Sequence, residues 1–427
     1  MLLIYPDRYV NVKGRRIPPI LVPPLNLLTL GALTPPDIEV KMVDERIEKI
    51  PWDIDVQLVG ITVLTADAPR AYEIADRFRR RKVKVVLGGI HVSIMEKEAL
   101  QHADSIVVGE AEGVWEKLLM DFQKGELQKV YKSTVFPDIS FIPSQRRDLL
   151  SSRRRYINIL QTTRGCPYHC SFCSVPVVFG RKIRTRDLNS VYQEVSKFPG
   201  DSMYIIDDNI LAIPSYAEAL FHRLKYLRKK WLAQASINLL GKHNNLLKLA
   251  KKAGCQAFFV GFESIKKENI KECGKSHNIV KKYWEVVRKL HDFGMGVIGS
   301  FIFGFDGDDE DIFPRTLEFI KKTGIDLASF TILTPLPGTP LFREMVREKR
   351  LLTKDWSKYD CAHVVFKPRK ISLQKLQEGI YWMYKEFYRL KEVIKRTIHG
   401  IRYMKLLLPL NLAYHIVGKK GYSDHRP

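Results

Sequence analysis

Cysteine is scarce in this chain, with six in 427 residues, and none precedes Cys166. A disulfide framework is excluded as an organising principle. The chain is long and cysteine-poor, and three of the six fall within eight residues, where they cannot all pair. Residues 1–125 contain no GxGxxG, so a dinucleotide site is not favoured there. Long apolar runs are also missing. The stretch Leu406–Val417 is broken by Pro409, Asn411 and His415, and its 12 residues fall short of the roughly 20 that cross a bilayer. Met1–Pro6 is a short apolar run with no basic residue before it, followed by Asp7 and Arg8, and does not read as a signal peptide. The expected setting is cytoplasmic, where thiols stay reduced.

Acidic residues are in short supply: 47 Asp and Glu stand against 70 Lys and Arg, a net charge of +23. Part of the excess is local, since residues 366–427 carry 14 Lys/Arg and 4 Asp/Glu. A solvated basic surface is the plainest reading. A contact with a membrane surface or an anionic substrate comes next, because the basic residues alternate with Trp382, Tyr384, Phe387, Tyr388, Ile394 and Ile401. Nucleic-acid binding ranks third, since basicity alone specifies nothing.

What is present reads as a large α/β protein, 45% hydrophobic and long enough for two or three domains. In residues 1–125, short apolar runs at 2–5, 40–43, 56–62, 83–87 and 105–108 alternate with amphipathic stretches near 25–34, 66–81, 93–102 and 112–123. Strands separated by helices predict a doubly wound parallel sheet, which binds ligands at loops beyond the carboxyl ends of its strands. The candidate loops are Thr62-Val63-Leu64-Thr65, Gly88-Gly89-Ile90-His91 and Gly109-Glu110-Ala111-Glu112. Residues 126–155, with Pro137, Pro143 and the run Arg153-Arg154-Arg155, are expected to be a linker.

Residues 156–345 hold six strand–helix units, with strands at 157–160, 203–206, 232–237, 257–262, 296–303 and 327–333 and helices near 188–197, 214–230, 243–253, 279–293 and 309–322. Six sequential units, too few for eight, predict an open (β/α)6 partial barrel whose active face lies at the strand carboxyl ends. Residues 346–427 are expected to be a helical C-terminal region.

Cys166, Cys170 and Cys173 follow the first barrel strand in Arg-Gly-Cys-Pro-Tyr-His-Cys-Ser-Phe-Cys. Zinc sites favour two CxxC-type pairs or a Cys/His mix; His169 lies in the loop, but no second pair follows. The spacing favours a [4Fe–4S] cluster on three thiolates, with one iron open to a substrate or cofactor. Cys255, Cys273 and Cys361 show no paired spacing, and Cys255 reads as a small apolar core residue.

The CxxxCxxC loop, with Phe172 before its last cysteine, resembles that of the radical S-adenosylmethionine superfamily. The order of domains resembles the branch with an N-terminal cobalamin-binding domain, which includes hopanoid methylases and tetrapyrrole cyclases. Supporting similarities lie at strand ends: Ile206-Asp207-Asp208-Asn209, Gln234-Ala235-Ser236, Gly261-Phe262-Glu263-Ser264 and Thr334 to Pro340. The resemblance implies a 5′-deoxyadenosyl radical that abstracts hydrogen from an unactivated sp3 carbon. It also implies a methyl group carried by cobalamin, and a reducing partner such as flavodoxin or ferredoxin. It puts Glu263, Ser264, Gln234, Asp208 and Phe172 around adenosylmethionine, with Arg184 as the partner of its carboxylate. Thr65, Gly88, Gly89, Gly109 and Glu110 would line the cobalamin side.

One stretch departs from the family. In Val43-Asp44-Glu45-Arg46-Ile47-Glu48-Lys49, Arg46 stands where DxHxxG domains carry a cobalt-ligating histidine, so a histidine-off cobalamin is expected. His91 is more simply a packing or hydrogen-bonding residue. The expected function is radical C-methylation of a small-molecule or lipid-like substrate, the alternative being oxidative cyclisation or rearrangement. The absence of a cysteine before Cys166 argues against the similar RNA methylthiotransferases, which need an additional N-terminal cluster. A cobalamin-binding regulator would leave the cysteine loop unexplained.

Overall fold

The computed structural model describes residues 1–10, 21–152, 156–400 and 404–420. The basic run Arg153-Arg154-Arg155 lies outside the described residues. The first sheet contains β1 (Leu2–Tyr5), β2 (Lys41–Asp44), β3 (Leu58–Thr62), β4 (Lys84–Gly88), β5 (Ser105–Val108) and β6 (Val130–Lys132). All are parallel, in the order β2-β1-β3-β4-β5-β6. The order reverses between β1 and β3, which opens a crevice at the carboxyl end of the sheet. Helix Ala68–Arg80 shows why the flanking layers form. Ala71, Ile74, Ala75 and Phe78 recur at helical spacing and are buried, while Arg77, Arg79 and Arg80 in its last turn complement the helix dipole.

The second sheet contains β7 (Asn158–Leu160), β10 (Ser202–Ile205), β11 (Lys230–Gln234), β12 (Cys255–Glu263), β13 (Gly296–Phe303) and β14 (Leu327–Ile332). Its order is sequential and parallel, and β7 and β14 are edge strands that do not pair with each other. This is an open six-stranded barrel. A two-stranded ribbon, β8 (Thr163–Arg164) with β9 (Arg184–Thr185), flanks the cysteine loop and places Arg164 opposite Arg184.

An open barrel leaves two rows of backbone groups unpaired, and residues from outside the barrel satisfy several of them. On β14, the hydroxyls of Tyr384 and Tyr388, one turn apart at the end of helix Leu373–Phe387, each accept a backbone N–H and donate to a backbone carbonyl, at Phe330 and Ala328 respectively. On β7, Gln145 and Arg147 donate to the Ile159 carbonyl.

The expected linker 126–155 is therefore more structured than its composition suggests. It supplies β6 and these two edge partners. β6 has three residues, of which only Tyr131 is buried, which is too short for alternation to register. Two smaller differences concern helices. The expected helix at 93–102 is divided into Ile90–Ile94 and Glu96–His102. The end of the expected strand at 232–237 instead begins a separate helix, Ile237–Lys242.

Candidate active site

The cysteine loop leaves β8 at Arg164 and is fixed at several points. The buried Asp207 carboxylate accepts the N–H groups of Thr162 (2.6 Å) and Thr163 (3.1 Å), and Asp208 accepts that of Gly165 at 3.3 Å. Gly165 has φ +96°, and a Cβ there would stand 2.6 Å from the Lys182 carbonyl oxygen, so the returning chain demands glycine. Farther on, Ser171 donates its N–H to the Cys273 carbonyl (3.1 Å) and accepts that of Leu341 at its own carbonyl (2.9 Å). Tyr168 stacks on His277 at 3.8 Å.

Burial pushes the Cys170 thiol up to about 11 and the Cys173 thiol to about 12. These thiols would not ionise near neutral pH unaided; bound iron would supply the positive charge that makes them ligands. Among the described residues, no three His, Cys, Asp or Glu side chains gather as a site for one metal ion. A [4Fe–4S] cluster asks for a different arrangement, one thiolate per iron. Three free thiols on one fixed loop fit that donor set.

Glu263 ends β12 with φ +62°, an uncommon conformation for a side chain other than glycine, and it is buried. Its carboxylate pairs with Lys275. Lys275 is one of 70 basic residues with no motif around it, and only the fold identifies it as part of the site. Its ammonium also acts on the Cys170 and Cys166 thiols, lowering their pKa against the effect of burial. Gln234 ends β11, the neighbouring strand. Burial, reinforced by Asp207, raises the Asp208 carboxyl to about 6. Phe172 is half-buried against the barrel core. The Ser264 hydroxyl accepts the Lys266 N–H (3.1 Å) and the Asn269 amide (2.9 Å), so it braces the turn after β12.

Between the two sheets lies a cavity of about 360 Å³. The first sheet contributes Thr62, Leu64, Gly88, Gly89, Gly109 and Glu110. The barrel contributes Ile159, Gln161, Arg164, Val178, Phe179 and Ile206. Gly109 has φ +83°, and nothing lies within 4 Å of where a Cβ would be, so at this point the wall is bare backbone facing open space. A mainly apolar cleft floored by such backbone suits a flat, bulky cofactor such as cobalamin. Thr65, expected on this wall, is buried in the turn Thr65–Asp67 and does not line the cavity; Thr62 does.

The structure also corrects the expected placement of Arg184. Its guanidinium does not stand ready for a ligand carboxylate but grips Glu110, with the Pro137 and Phe179 carbonyls as further acceptors. Arg164 binds the same carboxylate at 2.7 Å and Glu112 at 2.6 Å. The ribbon beside the cysteine loop is thereby bound to the loop after β5. Arg46 is engaged as well, through Nε and Nη2 with Asp44 at 2.9 and 2.6 Å, and it lies over the Tyr5 ring. His91 is fully buried beside Glu98 and is not a wall residue of the cavity.

Comparison with known proteins agrees with this two-part site. The family model of the Radical SAM superfamily matches residues 160–320, and that of the B12 binding domain matches residues 30–119. The chain is 35% identical over 386 residues to the bacteriochlorophyllide d C-12(1)-methyltransferase of Chlorobaculum tepidum, covering 87% of this chain and 84% of the relative. It is 34% identical over 423 residues to the C-8(2)-methyltransferase of the same organism, covering 93% and 92%. In fold it is similar to the radical S-adenosylmethionine methyltransferase TsrM of Kitasatospora setae, solved with cobalamin and a [4Fe–4S] cluster. The TM-score is 0.68 at 19% identity, over 81% of this chain and 77% of that one. With its cysteine loop set in an open barrel and a cobalamin-type domain across the cavity, this chain belongs to the cobalamin-dependent branch of the radical S-adenosylmethionine enzymes.

Proposed function

We propose that this protein is a C-methyltransferase that acts on an sp3 carbon of a large, mainly apolar small molecule of the bacteriochlorophyllide type. The observation that carries this reading is the shared wall. Arg164 lies two residues before Cys166 and lines the cavity that Gly88, Gly89 and Gly109 help to floor. Similarity to two bacteriochlorophyllide methyltransferases supports the substrate class, and favours methylation over cyclisation or rearrangement. When bound, the cluster and adenosylmethionine supply the 5′-deoxyadenosyl radical, and cobalamin supplies the methyl group.

In this reading the chain's own residues bind and orient. Cys166, Cys170 and Cys173 would hold the cluster through their three thiolates. Glu263, with its charge held in place by Lys275, accepts from the adenosylmethionine amine or ribose; Gln234, Asp208 and Phe172 line the same face. Gly88, Gly89 and Gly109 bed the corrin, and the apolar cavity wall keeps water from the reacting carbon. A low-potential reductant such as flavodoxin or ferredoxin delivers electrons in the cytoplasm. No described helix is long and apolar enough to cross a membrane.

The test is anaerobic reconstitution with iron, sulfide and cobalamin, followed by incubation with adenosylmethionine, reductant and bacteriochlorophyllide d. The expected product is heavier by one methylene unit, with 5′-deoxyadenosine released. A product that has lost hydrogen without gaining carbon would make the enzyme a cyclase. Cys170→Ala should lose the cluster's absorbance and all deoxyadenosine release, and should still bind cobalamin.

A further inference from the structure

Helix Leu390–His399 presents its apolar residues the wrong way round. Leu390, Ile394 and Ile398 follow at intervals of four and so share one face, yet they are 45%, 50% and 68% exposed. A helix on the surface of a globular protein normally turns such a stripe to the core and polar groups to water. Here the inward side is held differently. Val393 is buried, and Arg396 points in, donating to the Phe387 carbonyl and to Asn411 while its guanidinium lies 3.9 Å over the Phe387 ring. Asn411 belongs to the next helix, Met404–Lys420, and donates in turn to the Asp326 carbonyl at the start of the last barrel strand. The two helices therefore form a hairpin fixed to the barrel, and the exposed stripe is built into the fold. On the second helix, Leu410 and Leu412 are also exposed, at 39% and 41%.

The charges around the stripe indicate what covers it. Lys385, Lys391 and Lys395 are exposed within or just before this helix, as is Arg389, which pairs with Glu386, and Trp382 lies exposed on the preceding helix, eight residues before Leu390. An apolar stripe with lysines next to it along the helix has the composition of a helix lying in the plane of an anionic bilayer: aliphatic groups enter the acyl boundary and ammonium groups meet lipid phosphates. A second copy of this chain suits the surface less well, because pairing would bring two basic faces together in a molecule of net charge +23.

We propose that the hairpin formed by Leu390–His399 and Met404–Lys420 docks the enzyme on the surface of anionic membranes, without crossing them. The surface is independent of which molecule is methylated, so the proposal stands or falls apart from the substrate reading.

The experiment uses the full chain, loaded anaerobically with cluster and cobalamin, in vesicle flotation. One set of vesicles is phosphatidylcholine alone; the other contains phosphatidylglycerol as well. The protein is expected to float with the anionic vesicles at low salt and not with the neutral ones. Ile394→Gln with Ile398→Gln changes no charge and should weaken binding about tenfold or more, from the apolar area withdrawn. Lys391→Gln with Lys395→Gln should weaken it and flatten its salt dependence. Cobalamin absorbance and thermal midpoint, unchanged in both pairs, show that the fold is intact. Failure of the wild type to float on anionic vesicles overturns the proposal. So does full binding by the isoleucine pair, which would mean that charge alone does the work. A dimer in light scattering that the isoleucine pair dissolves would assign the face to a second copy and overturn it as well.

Discussion

Replacing Glu110 with Gln should loosen the join between the two halves of the site. The Glu110 side chain is 2% exposed and faces Arg164 and Arg184, which are 10% and 12% exposed. Glutamine keeps the shape and removes the charge, leaving two neighbouring guanidiniums without their shared counter-ion. Breaking a buried pair on one side costs about 3–5 kcal/mol. The lower end applies here, because Arg164 keeps Glu112 and Gln161, and Arg184 keeps two carbonyls. An unfolding entropy of about 2.1 cal/mol/K per residue gives about 0.9 kcal/mol/K for 427 residues. A loss of about 3 kcal/mol then lowers the midpoint by about 3 °C if the chain unfolds as one unit, and by about 10 °C if the first sheet's domain melts alone. Anaerobic scanning calorimetry reads this shift, and a cobalamin titration reads the accompanying loss of affinity. Adding Arg184→Gln to Glu110→Gln should cost less than the sum of the single changes, since it removes one of the stranded charges. A Glu110→Gln protein that melts within about 1 °C of wild type and binds cobalamin equally well would refute the reasoning.

Two further changes probe the frame around the site. Tyr388→Phe removes the hydroxyl that serves both backbone groups of Ala328 on the barrel edge and should cost about 1–3 kcal/mol, read from the urea midpoint. His363→Gln tests a pH-dependent tie. The hydrogen bond to Asp360 raises the imidazole pKa above its ordinary value, against the opposing effect of burial. A raised pKa means stability that is full below the unfolded-state value of about 6.5 and is lost as pH rises through the folded one. The variant should therefore be less stable than wild type at pH about 6 and indistinguishable at pH about 9 in urea unfolding, whereas an equal deficit at both would deny the tie its charge.

The strands and helices that build both sheets were legible because their signals are local. Each barrel strand is a short apolar run followed by a helix of period 3.6, and the cysteine loop declares itself in eight consecutive residues. Where the signal was shorter than one period, as in β6, composition pointed to a linker instead. Arg184 illustrates a different failure. The residue type was right for a carboxylate, but the carboxylate it binds belongs to the protein, 74 residues away.

The sequence by itself determined the architecture and the kind of chemistry: two parallel α/β units, a loop of three closely spaced cysteines, and a basic carboxyl-terminal region. Tertiary structure alone decided how the parts are joined. Glu110 meets Arg164 across 54 residues, Tyr388 seals Ala328 across 60, and Lys275 comes back to Glu263 around the helix Lys267–Glu272. Periodicity and spacing report on neighbours along the chain. Ion pairs and edge contacts are made between residues that only folding brings together, and no local pattern encodes them.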